Sequence, residues 1–194
     1  MPAWAEEKEY LMGKICVFLA EGMEEIEALT VVDICRRAEL DTKTVSITDD
    51  RMVTSSHGIT VQADMVFSEV DFEQADMIVL PGGMPGTLNL EACEPLMKKV
   101  EEFDKAGKYI AAICAAPSIF GHKGILEKRN ACCYPSFESH LTGAVVSRNP
   151  VEVSEHVITS RGMGTAIEFA LQIVACMKGQ ECADAVKEAI IYQG

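Results

Sequence analysis

At 194 residues the chain has room for one domain and none for a second catalytic one. Its formal charge of −13, from 30 acidic against 17 basic residues, repels phosphate backbones and anionic headgroups, which argues against nucleic acid and membrane surfaces as partners. A 48% apolar share with 6% aromatics argues against disorder and suits a buried parallel sheet flanked by helices.

Residues 1–12 precede any core pattern, with Met12 directly before the first apolar run, and read as a dispensable extension to a single domain over residues 13–194. Met1 to Glu9 is too acidic and interrupted for a secretory signal, and no apolar run approaches the roughly 20 residues that span a bilayer. Ile15 to Ala20 is a short apolar run stopped by Gly22, the pattern of a strand buried on both faces. From Glu24 to Ala38 the period changes. Ile26, Leu29 and Val32 recur at helical spacing, and Arg36-Arg37 close the last turn, where the helix dipole favours positive charge.

Thr42 to Thr48 is a second β-branched run, Ile59 to Val61 a short edge strand, and Met77 to Leu80 a third buried strand ending in Pro81-Gly82-Gly83. A helix over Cys93 to Ala106 presents Leu96, Val100 and Phe103, with Gly107 placed to cap it. Tyr109 to Ile113 is the next strand, followed by Cys114 and a helix of small residues to Gly121; Cys132 to Tyr134 and Val157 to Ser160 read as later strands. Thr165 to Met177 reads as a helix opened by a Thr165–Glu168 capping box. Strands alternating with helices imply right-handed crossovers, so the expected fold is α/β, a mostly parallel doubly wound sheet in a three-layer α/β/α sandwich. The ligand crevice of such a sheet lies at the carboxyl ends of its strands, where Glu24 to Glu27, Pro81-Gly82-Gly83 and Cys114 fall.

A cysteine on a strand-to-helix turn has its sulfur near unpaired N–H groups and the positive end of a dipole, both of which favour thiolate. The other seven, Cys16, Cys35, Cys93, Cys132, Cys133, Cys176 and Cys182, read as buried structural thiols, and reduced cysteines in a cytoplasmic protein are expected. Gly82 and Gly83 allow a backbone to approach a ligand, so their N–H groups and that of Ala115 suit an oxyanion, although an ordinary strand-ending turn explains the glycines equally. Helix-end electrostatics accounts for Glu24 and Glu25. Glu27, on the side of Ile26 and Val31, is aimed at an apolar cleft, where a carboxyl keeps its proton and acts as donor or as general acid and base. No Cys-x-x-Cys occurs and His57, His122, His140 and His156 lack paired spacing, so no metal site is expected.

Four blocks resemble the ThiJ/PfpI superfamily: Ala20-Glu21-Gly22-Met23-Glu24-Glu25-Ile26-Glu27, Val79-Leu80-Pro81-Gly82-Gly83, Ala111-Ala112-Ile113-Cys114-Ala115-Ala116-Pro117 and Thr159-Ser160-Arg161-Gly162-Met163-Gly164-Thr165. The chain from Lys14 onward is most similar to the branch of the parkinsonism-associated protein deglycase (DJ-one-like). The resemblance implies a flavodoxin-like, class I glutamine amidotransferase-like domain, a homodimer, no cofactor, an oxidisable nucleophile at Cys114, its carboxylic partner at Glu27, and oxyanion-binding amides at Gly83 and Ala115. It further implies a glyoxalase or deglycase acting on 2-oxoaldehydes such as methylglyoxal or on their protein adducts, with a redox-sensing or stress-protective chaperone as the alternative. Some relatives carry the name of a thiazole monophosphate biosynthesis protein, for which these residues give no chemical reason.

The pattern departs from the relatives at three places. Tyr134 stands where several have a histidine before proline, Met163 where proline is frequent, and His57 where an arginine precedes the short edge strand. With Gly82 and Arg161, a candidate anion binder or surface ion pair, these complete the candidate pocket. Protease chemistry is disfavoured because Ala115, not histidine, follows the nucleophile, and amidase chemistry because His156 is followed by Val157-Ile158 rather than by His-x-Glu spacing.

Overall fold

In a computed structural model describing residues 13–194, β1 (Lys14–Leu19) is buried from both sides because its apolar residues alternate between two cores. Ile15, Val17 and Leu19 face one cluster, Cys16 and Phe18 the other. The extension expected over residues 1–12 lies outside the described residues. After β1 come α1 (Glu25–Arg37), β2 (Asp41–Ser46), β3 (Met52–Thr54), β4 (Thr60–Gln62), β5 (Met65–Val66) and β6 (Met77–Leu80). Next are α2 (Gly86–Ala92), α3 (Glu94–Ala106), β7 (Tyr109–Ile113) and α4 (Pro117–His122). The remainder holds β8 (Asn130–Ala131), β9 (Val145–Val146), β10 (Val151–Ser154), β11 (Val157–Ser160), α5 (Ala166–Lys178) and α6 (Gln180–Ala189).

Seven strands form the main sheet in the order β10-β11-β7-β6-β1-β2-β5, and only β10 runs antiparallel to its neighbour. Residues of α1, α5 and α6 build the core on one face, and those of α2, α3 and α4 the core on the other, which is the expected three-layer α/β arrangement. Gly107 caps α3 in the left-handed conformation, φ 70°, as its position predicts. All eight cysteines are unpaired. Among the described residues no helix is long and apolar enough to cross a membrane.

Several elements differ from their expected form. The strand around Ile59 to Val61 is half of a hairpin, β3–β4, that stands apart from the main sheet rather than on its edge. Cys132 to Tyr134 is not a strand: β8 stops at Ala131, and the Cys132 N–H donates to the Thr159 hydroxyl at 3.0 Å instead of to a ladder. The capping box is absent because tertiary partners take both side chains. The Thr165 hydroxyl bonds to Ser160 Oγ at 2.7 Å and donates to the Gly162 carbonyl at 2.9 Å, while Glu168 accepts from the Tyr192 hydroxyl. On α1 the buried face carries Glu27, Ala28, Val31 and Cys35, whereas Ile26 and Leu29 remain partly exposed. Helices α2 and α6 and strand β10 are not among the expected elements, although α6 buries Ala183 and Val186 at helical spacing and β10 alternates as Val151-Glu152-Val153-Ser154.

Candidate active site

Strand β7 ends at Ile113 and α4 begins at Pro117, leaving Cys114, Ala115 and Ala116 to make the turn. Cys114 has φ 66°, a left-handed conformation that costs roughly 1–3 kcal/mol in a residue with a Cβ and persists only when its surroundings hold it. Two hydrogen bonds hold it here. Its N–H donates to the Ser160 carbonyl at 3.0 Å, and its own carbonyl accepts from the Tyr134 N–H at 2.8 Å. The Ser118 hydroxyl fixes the same turn by donating to the Ala115 carbonyl.

The carboxyl facing this sulfur comes from the first turn of α1. Glu27 is 1% exposed, its Oε2 accepts from the Gly82 N–H at 2.9 Å, and its carboxyl stands beside the Cys114 side chain, the two meeting across Gly82 and Gly162. The backbone amides of Gly83 and Ala115 act on the sulfur in the direction that favours thiolate. Only glycine fits between the two acids. A Cβ at Gly82 would lie 2.6 Å from both Cys114 Cβ and Glu27 Oε2. A Cβ at Gly162 would stand 3.9 Å from Cys114 Sγ and Glu27 Oε1 and 3.5 Å from the Tyr134 ring.

Burial, the largest effect, lifts Glu27 up to about 7 against the hydrogen bonds from Cys114 and Gly82. Burial followed by the charge of Glu27 pushes the Cys114 thiol up to about 12, against the Gly83 and Ala115 amides. The pair is therefore coupled: ionising either member opposes ionising the other. This corrects the expectation of a resting thiolate. Helix α4 has only six residues, so its dipole is small, and the amides at the sulfur do not offset desolvation plus the neighbouring carboxylate. A carboxyl that holds its proton well above the ordinary range was expected, and Glu27 has that character.

The remaining sequence candidates divide. Gly82, Gly83, Ala115 and Tyr134 meet at the dyad, Tyr134 with its ring against Gly162 and half exposed. Met163 is more than half exposed on the turn before α5. The charge of Arg161 acts on Cys132 and Cys133, opposing the rise that burial gives their thiols. His57 pairs instead with Glu25 at 3.1 Å and Glu24 at 3.6 Å. These three groups bring ligand atoms within 4.8 Å of one another, but the two carboxylates raise the His57 pKa and the set is satisfied as an ion pair. Gly162 was missed by the sequence reading, which weighed its neighbours Arg161 and Met163. Its signal was available as a glycine between a strand end and a helix start, the place where a backbone passes close to a ligand.

Residues 13–176 match the DJ-1/PfpI family. Protein DJ-1 homolog B of Arabidopsis thaliana is 37% identical over 182 residues, covering 93% of this chain but only 42% of the relative, so the chain spans less than half of that protein. The protein of Schizosaccharomyces pombe named glutathione-independent glyoxalase DJ-1 is 31% identical, with 92% of this chain and 98% of the relative covered. A solved structure of oxidised Toxoplasma gondii DJ-1 superposes with a TM-score of 0.90 at 34% identity, covering 94% of this chain and all of that one.

The coupled pair makes a prediction for stability. Because Glu27 binds its proton more tightly folded than its ordinary 4.5 allows, its contribution is complete below about 4.5 and is lost as pH rises towards about 7. Urea denaturation across that range should show the stability of the wild type falling by about 3 kcal/mol relative to Glu27→Gln. Parallel pH profiles for the two proteins would contradict the assignment.

Proposed function

The chain belongs to the DJ-1/PfpI family, and from that premise we propose that it is a cofactor-free, cysteine-dependent glyoxalase or deglycase acting on 2-oxoaldehydes such as methylglyoxal or on their protein adducts. The observation that carries this reading is the Cys114 thiol set beside a buried carboxyl that is itself fixed by the Gly82 N–H. A thiol with an adjacent base needs no resting negative charge, since the base removes the proton as the new bond forms.

In this mechanism the thiol proton passes to Glu27 while sulfur bonds to the aldehyde carbon. The aldehyde oxygen becomes an oxyanion within reach of the Gly83 and Ala115 amides, giving a hemithioacetal after protonation. Glu27 then carries the hydrogen of that carbon to the adjacent carbonyl carbon while the hydroxyl proton passes to the adjacent carbonyl oxygen, which turns the hemithioacetal into a 2-hydroxy thioester. Water hydrolyses the thioester, releasing the 2-hydroxy acid and restoring the thiol, so the net reaction adds one water to the oxoaldehyde. Tyr134 offers no imidazole, which leaves Glu27 as the titrating partner. Gly162 keeps the space beside sulfur and carboxyl open for the substrate carbons.

A redox-sensing or protective role would use the same sulfur; Cys93, Cys176 and Cys182 are partly exposed as Cys114 is, contrary to the expectation of seven buried structural thiols, so selective oxidation at Cys114 would rest on its place beside Glu27 and the Gly82-Gly83 turn rather than on exposure. Unpaired cysteines throughout support a reducing compartment, so we place the protein in the cytoplasm. Partly exposed Ile26 and Leu29 on α1, with Met52 and Ile59 on the hairpin, support pairing with a second copy of the chain.

Methylglyoxal given to the purified protein should yield lactate, with turnover lost in Cys114→Ala and reduced at least about 100-fold in Glu27→Gln. Unchanged turnover in Cys114→Ala would remove the enzymatic reading, and no turnover in the wild type would leave the sensor reading in its place. Sedimentation velocity should report a dimer that Ile26→Asp dissociates; a monomeric wild type would overturn the pairing.

A further inference from the structure

His122 and His140 are 18 residues apart, too far for any local ligand spacing, yet the fold sets them face to face. Nε2 of His122 stands 3.0 Å from Nδ1 of His140, and Nδ1 of His122 lies 2.7 Å from Oε1 of Glu91. An ionised carboxylate can only accept, so His122 carries its hydrogen on Nδ1 and aims the lone pair of Nε2 at His140. A carboxylate that orients an imidazole through its far nitrogen is the arrangement found behind metal-bound histidines. Between the two facing nitrogens there is room for one proton or for one cation. Bonds of about 2.0–2.1 Å to nitrogens 3.0 Å apart subtend nearly a right angle, which suits neighbouring positions of a square-planar or octahedral ion better than a tetrahedral one.

Among the described residues, the one carboxylate in contact with the pair is Glu91. Glu91 lies in the last turn of α2, His122 is the last residue of α4, and His140 is the last residue of the 3-10 turn over Pro135–His140. Three segments thus end at one place. The adjacent Lys123 is turned away to Glu101 at 3.3 Å. The chains are also in close contact, since a Cβ at Gly121 would collide with the His140 carbonyl oxygen, so the rings are brought together by the backbone and not by a chance rotamer. Glu91 and His122 are partly exposed and His140 is exposed, which leaves a path for an ion and space for water in its remaining positions.

We propose that His122 Nε2 and His140 Nδ1 bind a divalent transition-metal ion of square-planar or octahedral preference, with Glu91 as the positioning residue. To take the ion, His140 presents the lone pair of Nδ1 and carries its hydrogen on Nε2. The ion ties the end of α4 to the end of the turn that starts beside Tyr134, the two segments leading away from Cys114. The Glu24–Glu25–His57 cluster is the natural control, because a proton on His57 already satisfies it.

Ni(II) is the probe, as it accepts imidazole ligands and does not oxidise thiols as Cu(II) does. Calorimetric titration of the untagged protein should give one ion per chain. His122→Ala and His140→Ala should each weaken binding at least about 100-fold, Glu91→Gln should weaken it about 10-fold, the low end for outer-shell partners, and His57→Ala should leave it unchanged. Ni(II) should raise the thermal midpoint of the wild type and not of the histidine variants. His140→Gln, which keeps a polar side chain at that exposed position, should lose binding as the alanine variant does. Wild-type affinity in either histidine variant, no Ni(II) binding by the wild type, or loss of binding in His57→Ala would each overturn the site.

Discussion

A carboxyl and a thiol packed against one another out of water govern the rest of this molecule. Two ionisable groups in a low-dielectric site cannot both carry charge without a large penalty, so the Glu27–Cys114 pair retains a proton over a range in which either group alone in water would have lost it. The glycines follow from that contact. Gly82 passes between the two side chains where any Cβ would collide, and its N–H supplies the one fixed donor that keeps the carboxyl from turning away. Buried and directed, Glu27 has little to do for stability that a neutral residue could not do as well.

The sheet supplies the precision. Strands β7 and β11 are paired in parallel, Ser160 opposite Ile113, and the ladder continues one step past the end of β7, where the Cys114 N–H donates to the carbonyl of Ser160, the last residue of β11. That bond and the one from Tyr134 hold a non-glycine residue at positive φ. Ser160 and Thr165 share a short hydroxyl contact that closes the next loop and sets Gly162 beside the sulfur. Strain at the turn is thus balanced by bonds to two other segments, and the reactive atom is placed by backbone rather than by a mobile side chain.

Much of this could be read from residue order. Short apolar runs followed by helical periods were sufficient for the layered α/β fold, and a cysteine at a strand end next to small residues was sufficient to mark the crevice. What could not be read depends on partners distant in the chain. Thr165 and Glu168 have the spacing of a capping box, but Ser160 and Tyr192 compete for them successfully. Ile26 and Leu29 fit an apolar stripe, yet the helix turns Glu27 inward in their place. The thiolate expectation failed for an electrostatic reason. Dipole and amides were visible in the sequence as a turn, whereas the depth of burial and the sign of the charge opposite were not. Likewise no spacing rule links Glu91, His122 and His140, which meet only because α2, α4 and the turn after Tyr134 end together.

The central claim is that Glu27 sets the ionisation of the Cys114 sulfur, and alkylation of each cysteine followed by peptide mapping across a pH series tests it most directly. Removing the carboxylate in Glu27→Gln takes away the charge that opposes the thiolate, so Cys114 should alkylate at a pH at least about one unit lower than in the wild type while the other seven thiols keep their profiles. An unchanged Cys114 profile in that variant would contradict the account.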